Sequence, residues 1–153
     1  MDESGISAKD LNDLGVSHAK SGRLQEGAKC FQRAVAADPN FALAHENLAK
    51  AQAELGDLPA ATASFRRALD LDPRSVDLLN GLGVVLNKQK DHAGAISILR
   101  KAVDLDPVNA AVQNNLGIAL ASAHRQREAV AAFHRATELV PNFVAAYSNL
   151  ALA

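Results

Sequence analysis

Tryptophan is missing from this sequence, methionine occurs only at its first position, and one cysteine, Cys30, stands alone. A lone cysteine excludes an intramolecular disulfide and a thiolate-based zinc site. Aromatic residues make up only 4%, which leaves little for stacking nucleic-acid bases. Neither sign of charge prevails: 16 Lys and Arg stand against 17 Asp and Glu, for a net charge of -1. There is thus no basic field for a phosphate backbone and no acidic tail for a basic partner. No apolar run approaches the roughly 20 residues of a membrane span. Met1 to Lys9 carry Asp2 and Glu3 without an apolar stretch, so no signal peptide is expected. A cytoplasmic setting, with neither nucleic acid nor membrane as partner, follows as the expectation.

What the sequence does have is alanine, 31 times in 153 residues. Alanine is the strongest helix former and lets helix axes approach closely. Its placement is periodic. Pro39, Pro73, Pro107 and Pro141 lie 34 residues apart, and aligning on them gives units 8–41, 42–75, 76–109 and 110–143. Residues 1–7 form a lead-in, and residues 144–153 begin a fifth unit. Large and small residues recur at fixed places. The seventh place is Leu14, Leu48, Leu82 and Leu116, and the eighth is Gly15, Ala49, Gly83 and Gly117. The twentieth place is Gly27, Ala61, Ala95 and Ala129, and the twenty-fourth is Phe31, Phe65, Leu99 and Phe133. The twenty-seventh is always alanine: Ala34, Ala68, Ala102 and Ala136. Large beside small on two helical segments is what closely crossing antiparallel helices require. Turn signals at Ser21-Gly22 and Gly56-Asp57 split the units, and the prolines end them. The turns at Lys90-Asp91 and His124-Arg125 have no glycine to take a left-handed conformation.

This pattern resembles the tetratricopeptide repeat (TPR) family over nearly the whole chain. The resemblance implies an all-α, right-handed α-solenoid of four 34-residue helix–turn–helix repeats plus a terminal helix, making 8–153 a single domain. His18, His45, Gln52 and Gln113 depart from the pattern at its fourth or eleventh place, where larger apolar residues stand in the family; local looseness is expected there.

In the family, partners lie along a concave groove formed by the first helix of each repeat. Carried over place by place, the candidate peptide-binding residues are Asn12, Asn47, Lys50, Asn80, Asn87, Asn114, Asn115 and Asn149. An amide carries two donors and an acceptor carbonyl, so it can hold an extended backbone with little regard to side chains. Asn47, Asn115 and Asn149 share the sixth place, similar to the asparagine ladder in the superhelical repeats of O-linked N-acetylglucosamine transferase; Asp13 and Gly81 interrupt it. The alternative is that these amides bond between neighbouring helices. A carboxylate clamp of the kind some TPR proteins use for chaperone tails is excluded, because Asp77 and Gly81 stand where two basic residues belong and Asp77 would repel the ligand. Arg33, Arg66, Arg67, Arg100, Lys101 and Arg135 recur late in the second helices, with Asp70, Asp104 and Glu138 three or four residues on to neutralise them.

Catalysis has no support, and no metal or cofactor is implied. The five histidines show no ligand spacing, and Gly81-Leu82-Gly83 lies within a helical stretch, not after a strand. Cys30, beside the core Phe31, lacks an activating neighbour. The readings that remain are three: a non-enzymatic scaffold binding an extended or helical peptide; a targeting or regulatory fragment of a larger protein such as a glycosyltransferase; and a self-associating module. For the last, Phe143, Val144, Tyr147 and Leu150 are expected to be exposed, with Leu11 and Leu14 as a complementary surface at the other end.

Overall fold

The computed structural model describes residues 5–152, with side chains as far as Asn149. Among the described residues there are nine α-helices and no strand. They fall into two compact units divided between Pro73 and Arg74. The first unit holds α1 (Ala8–Lys20), α2 (Leu24–Ala37), α3 (Ala42–Glu54) and α4 (Leu58–Leu71). The second holds α5 (Val76–Lys88), α6 (His92–Leu105), α7 (Ala110–Ser122), α8 (Gln126–Leu139) and α9 (Val144–Leu152). Within each unit consecutive helices pack as hairpins, and alternate helices also meet: α1 lies beside α3, α5 beside α7, and α7 beside α9. This is the expected helix–turn–helix repeat, four times over with a terminal helix.

Local chemistry sets the helix ends. The side chains of Ser7, Asp57, Ser75, Asp91 and Asn109 accept hydrogen bonds from the backbone N–H three residues on, capping α1, α4, α5, α6 and α7. Pro59 occupies the first turn of α4, where no helical donor is lost. All four turns inside the hairpins place one residue in the left-handed region: Gly22 (φ 76°), Gly56 (φ 86°), Lys90 (φ 67°) and His124 (φ 59°). Where glycine is absent, a lysine and a histidine adopt the strained conformation themselves.

Small residues hold the hairpins closed. Ala34, Ala68, Ala102 and Ala136 are fully buried, as are Ala61, Ala95 and Ala129. A Cβ on Gly15 would lie 2.5 Å from the Phe31 ring, and one on Gly117 2.5 Å from Phe133. The eighth and twenty-fourth places are therefore in direct contact.

Two expectations are corrected. Leu48, Leu82 and Leu116 are buried, but Leu14 is 43% exposed. Leu48 packs on Ala28 and Phe31 of α2, whereas Leu14 lies on a face of α1 that no described helix covers. Three of the polar departures are not loose. The His45 imidazole bonds the Pro39 carbonyl at 3.0 Å, and the Gln113 amide donates to the Pro107 carbonyl at 3.5 Å. The Ser64 hydroxyl donates to the side-chain Oε1 of Gln52 at 2.7 Å. His45 and Gln113 thus tie α3 and α7 to the loops before them. His18 alone keeps a buried ring nitrogen, Nδ1, without a partner.

Candidate peptide-binding face

The asparagines of the first helices pair with each other. Asn47 Nδ2 donates to Asn12 Oδ1 at 2.9 Å, Asn115 to Asn80 at 2.8 Å, and Asn149 to Asn114 at 3.0 Å. Each bond runs between residues 35 apart, from the sixth place of one repeat to the fifth of the one before. The sixth-place asparagines do not bond one another, and the rungs join the fifth place to the sixth. The signal was readable as Asn at place five followed 35 residues later by Asn. Asn87 is also engaged: its carbonyl accepts from His92 Nδ1 at 2.7 Å, which places the ring proton on that nitrogen, and its amide donates to Ser122 at 3.5 Å.

Burial divides the candidates. Asn12 and Asn114 are only 2% and 6% exposed, so their amides serve mainly to join helices. Asn47, Asn80, Asn87, Asn115 and Asn149 are half-buried and keep some surface. After one bond Asn47 retains an N–H and its carbonyl, and Asn80 retains both N–H groups. Lys50 is exposed, and its ammonium bonds Glu46 one turn earlier at 2.6 Å.

Two open hollows lie along the α1–α3 seam of the first unit. One, of about 290 Å³, has Val16, Leu24, Phe31 and Ala51 as apolar lining, with Asn47 and Lys50 at its side. The other, of about 350 Å³, is lined by Ala8, Asn12, Phe41 and Leu43, with the Lys9–Asp13 pair beside it. Ala19, Lys20 and Glu54 complete the lining of the first hollow.

The basic residues of the second helices are paired otherwise than expected. Arg135 does meet Glu138 at 3.1 Å, but Arg100 reaches Glu128 on α8 at 2.9 Å instead of Asp104. Arg125 grips the same carboxylate at 2.7 and 2.8 Å. These hydrogen bonds, from Arg125 foremost, hold the Glu128 carboxyl below the ordinary glutamate range.

At the far end, Val144 is 75% and Tyr147 49% exposed, while Phe143 is half-buried. The Leu150 side chain lies outside the described residues. Of the surface suggested opposite them, Leu14 is exposed, with exposed Asp10 and Ser17 beside it, whereas Leu11 is buried against Ala34 and Ala44. Cys30 is a buried free thiol. Among the described residues no three His, Cys, Asp or Glu side chains gather to hold a metal ion, and no helix is long and apolar enough to cross a membrane.

Tetratricopeptide repeat family models match residues 12–75, 54–110 and 86–152. No curated protein matches the chain. Solved structures do. MamA from Desulfovibrio magneticus RS-1 is 23% identical, with a TM-score of 0.88 over 97% of this chain and 84% of that one. PilF of Pseudomonas aeruginosa is 25% identical, with a TM-score of 0.84 over 94% of this chain and 66% of that one. YrrB, described as a TPR protein with an unusual peptide-binding site, is 23% identical, with a TM-score of 0.80 over 95% and 75%. At such identities the structural likeness speaks for the fold, and the family models for kinship: the chain belongs to the tetratricopeptide repeat family.

Proposed function

We propose that this chain is a non-enzymatic protein-interaction scaffold whose 8–153 region acts as one module in the cytoplasm, binding an extended peptide through the asparagines of its first helices. The observation that carries this is the set of half-buried amides with unused donors or acceptors at the clasps, with two apolar hollows beside the Asn12–Asn47 clasp. A backbone needs such neutral groups, and side chains need such hollows. Likeness in fold to YrrB, a protein with a peptide-binding site, adds support. The test uses a peptide selected from a displayed library of random dodecapeptides panned on the full chain. Asn47→Ala, Asn80→Ala and Asn115→Ala are expected to weaken its binding, while Arg67→Ala and Lys101→Ala leave it unchanged. Binding indifferent to the first three changes would contradict the proposal.

Exposed Val144 and Tyr147 favour a second reading, weak self-association through α9. Head-to-tail docking onto α1 would bury Asp10, so like-with-like pairing about a two-fold axis is the better geometry. Light scattering that shows a concentration-dependent dimer, abolished by Tyr147→Glu, would support it; a monomer at every concentration would not.

A further inference from the structure

The two hollows of the first unit both touch α1, one through Ala8 to Asp13 and the other through Val16 to Lys20. Their centres are about eight residues apart along the helix, or roughly 12 Å at about 1.5 Å per residue. The Asn12–Asn47 clasp stands between them, Asn12 lining one hollow and Asn47 the other. An extended chain covers that distance in about four residues, at roughly 3.3 Å each, and an even spacing puts both side chains on one side. A helical ligand would need about eight residues.

Charge along the seam is largely satisfied within it. Lys9 pairs with Asp13 at 2.7 Å and Lys50 with Glu46 at 2.6 Å. At one hollow the remaining charges, Lys20 and Glu54, are opposite in sign, and at the other Asp38 accepts from the Asn40 backbone N–H at 3.0 Å, so no cation is left over to select an acidic segment. The seam therefore suits a segment without net charge. Each hollow is at or near the lower limit of roughly 300–1,000 Å³ for small-molecule clefts and is open to solvent, a shape for one side chain, not for a cofactor.

We infer that the α1–α3 seam is a two-pocket subsite for an extended, uncharged peptide segment carrying aliphatic or aromatic side chains at positions i and i+4. Its backbone crosses the Asn12–Asn47 clasp and bonds the spare N–H and carbonyl of Asn47. The inference rests on the peptide-binding reading and specifies its ligand.

The same panning on the full chain tests it by the spacing of the selected sequences. Apolar residues four apart should be enriched. Changing either one to Ser in a synthetic copy should weaken binding at least tenfold, as should Leu43→Glu at one hollow and Ala19→Glu at the other. Circular dichroism checks that both variants stay folded, and the peptide substitutions carry the test alone if Ala19→Glu does not. Enrichment of a single apolar residue, of a spacing of seven or eight, or of highly charged sequences would overturn the inference. So would binding that ignores both hollows but is lost with Ile118→Glu in the second unit, which would leave peptide binding itself standing. Failure to select any peptide would count against both.

Discussion

The left-handed turn residues permit a prediction whose sign depends on the backbone alone. A Cβ added at Gly56 meets nothing within 4 Å, so Gly56→Ala introduces no clash. What it does introduce is a side chain at φ 86°, which costs about 1–2 kcal/mol for an L-residue. Restricting the unfolded chain returns roughly 0.4–1 kcal/mol of that. The net expectation is a loss of about 1 kcal/mol, or about 2–4 °C in Tm for a chain of this size. Lys90 and His124 already bear this strain at φ 67° and 59°. Lys90→Gly and His124→Gly should therefore move stability the opposite way, by about 0.5–1 kcal/mol each. Urea unfolding followed by circular dichroism measures all three. If Gly56→Ala were neutral or stabilising, or both glycine substitutions destabilising, the reasoning about these turns would be refuted.

Other outcomes follow from the packing and the clasps. Ala95 and Ala129 are fully buried where hairpin helices cross, so changing either to Leu should cost about 1–3 kcal/mol in denaturant melts. A double-mutant cycle on Asn80 and Asn115, bonded at 2.8 Å, should return a coupling of about 1 kcal/mol, whereas Asn80 with Asn149, on helices that do not touch, should show none. Because folding lowers the Glu128 carboxyl, its contribution is present above the unfolded-state value and lost as pH falls through the folded one. Glu128→Gln should flatten the acid limb of stability below the ordinary glutamate range, and high salt should shrink the difference. Peptide binding through neutral amides should depend only weakly on ionic strength, which a titration in salt will show.

Much of this molecule could be read before its structure. The 34-residue period puts Phe31, Leu99 and Phe133 opposite glycines, and they pack there, while Phe65 is buried at the same place of its repeat. That part is legible because side-chain size at fixed helical places decides how closely two helices cross. Leu14 escaped because burial at the seventh place depends on a helix alongside, which the residue's own identity does not reveal. His45 and Gln113 were misjudged for a similar reason: a polar side chain at a core place is tolerated when a backbone carbonyl lies within reach, and that reach is set by the loop path. The asparagines lie on α1, α3, α5, α7 and α9, as their places in the repeat imply. That Asn47 bonds Asn12 and not another sixth-place residue depends on the offset between neighbouring helices. Arg100 follows the same logic, reaching across to Glu128 when a partner on its own helix was expected. The two hollows on the α1–α3 seam arise where Leu43, Phe41 and Phe31 leave space, a property of packing with no one-residue signature.

The measurement that bears most directly on the central claim is chemical-shift mapping of the full chain with a selected peptide. The account predicts that perturbations concentrate on the first helices, with the Asn47, Asn80 and Asn115 side-chain amides among those that move. Second-helix residues such as Arg67 and Lys101 should stay still. Perturbations confined to α2, α4, α6 and α8, with those three amides unchanged, would contradict it.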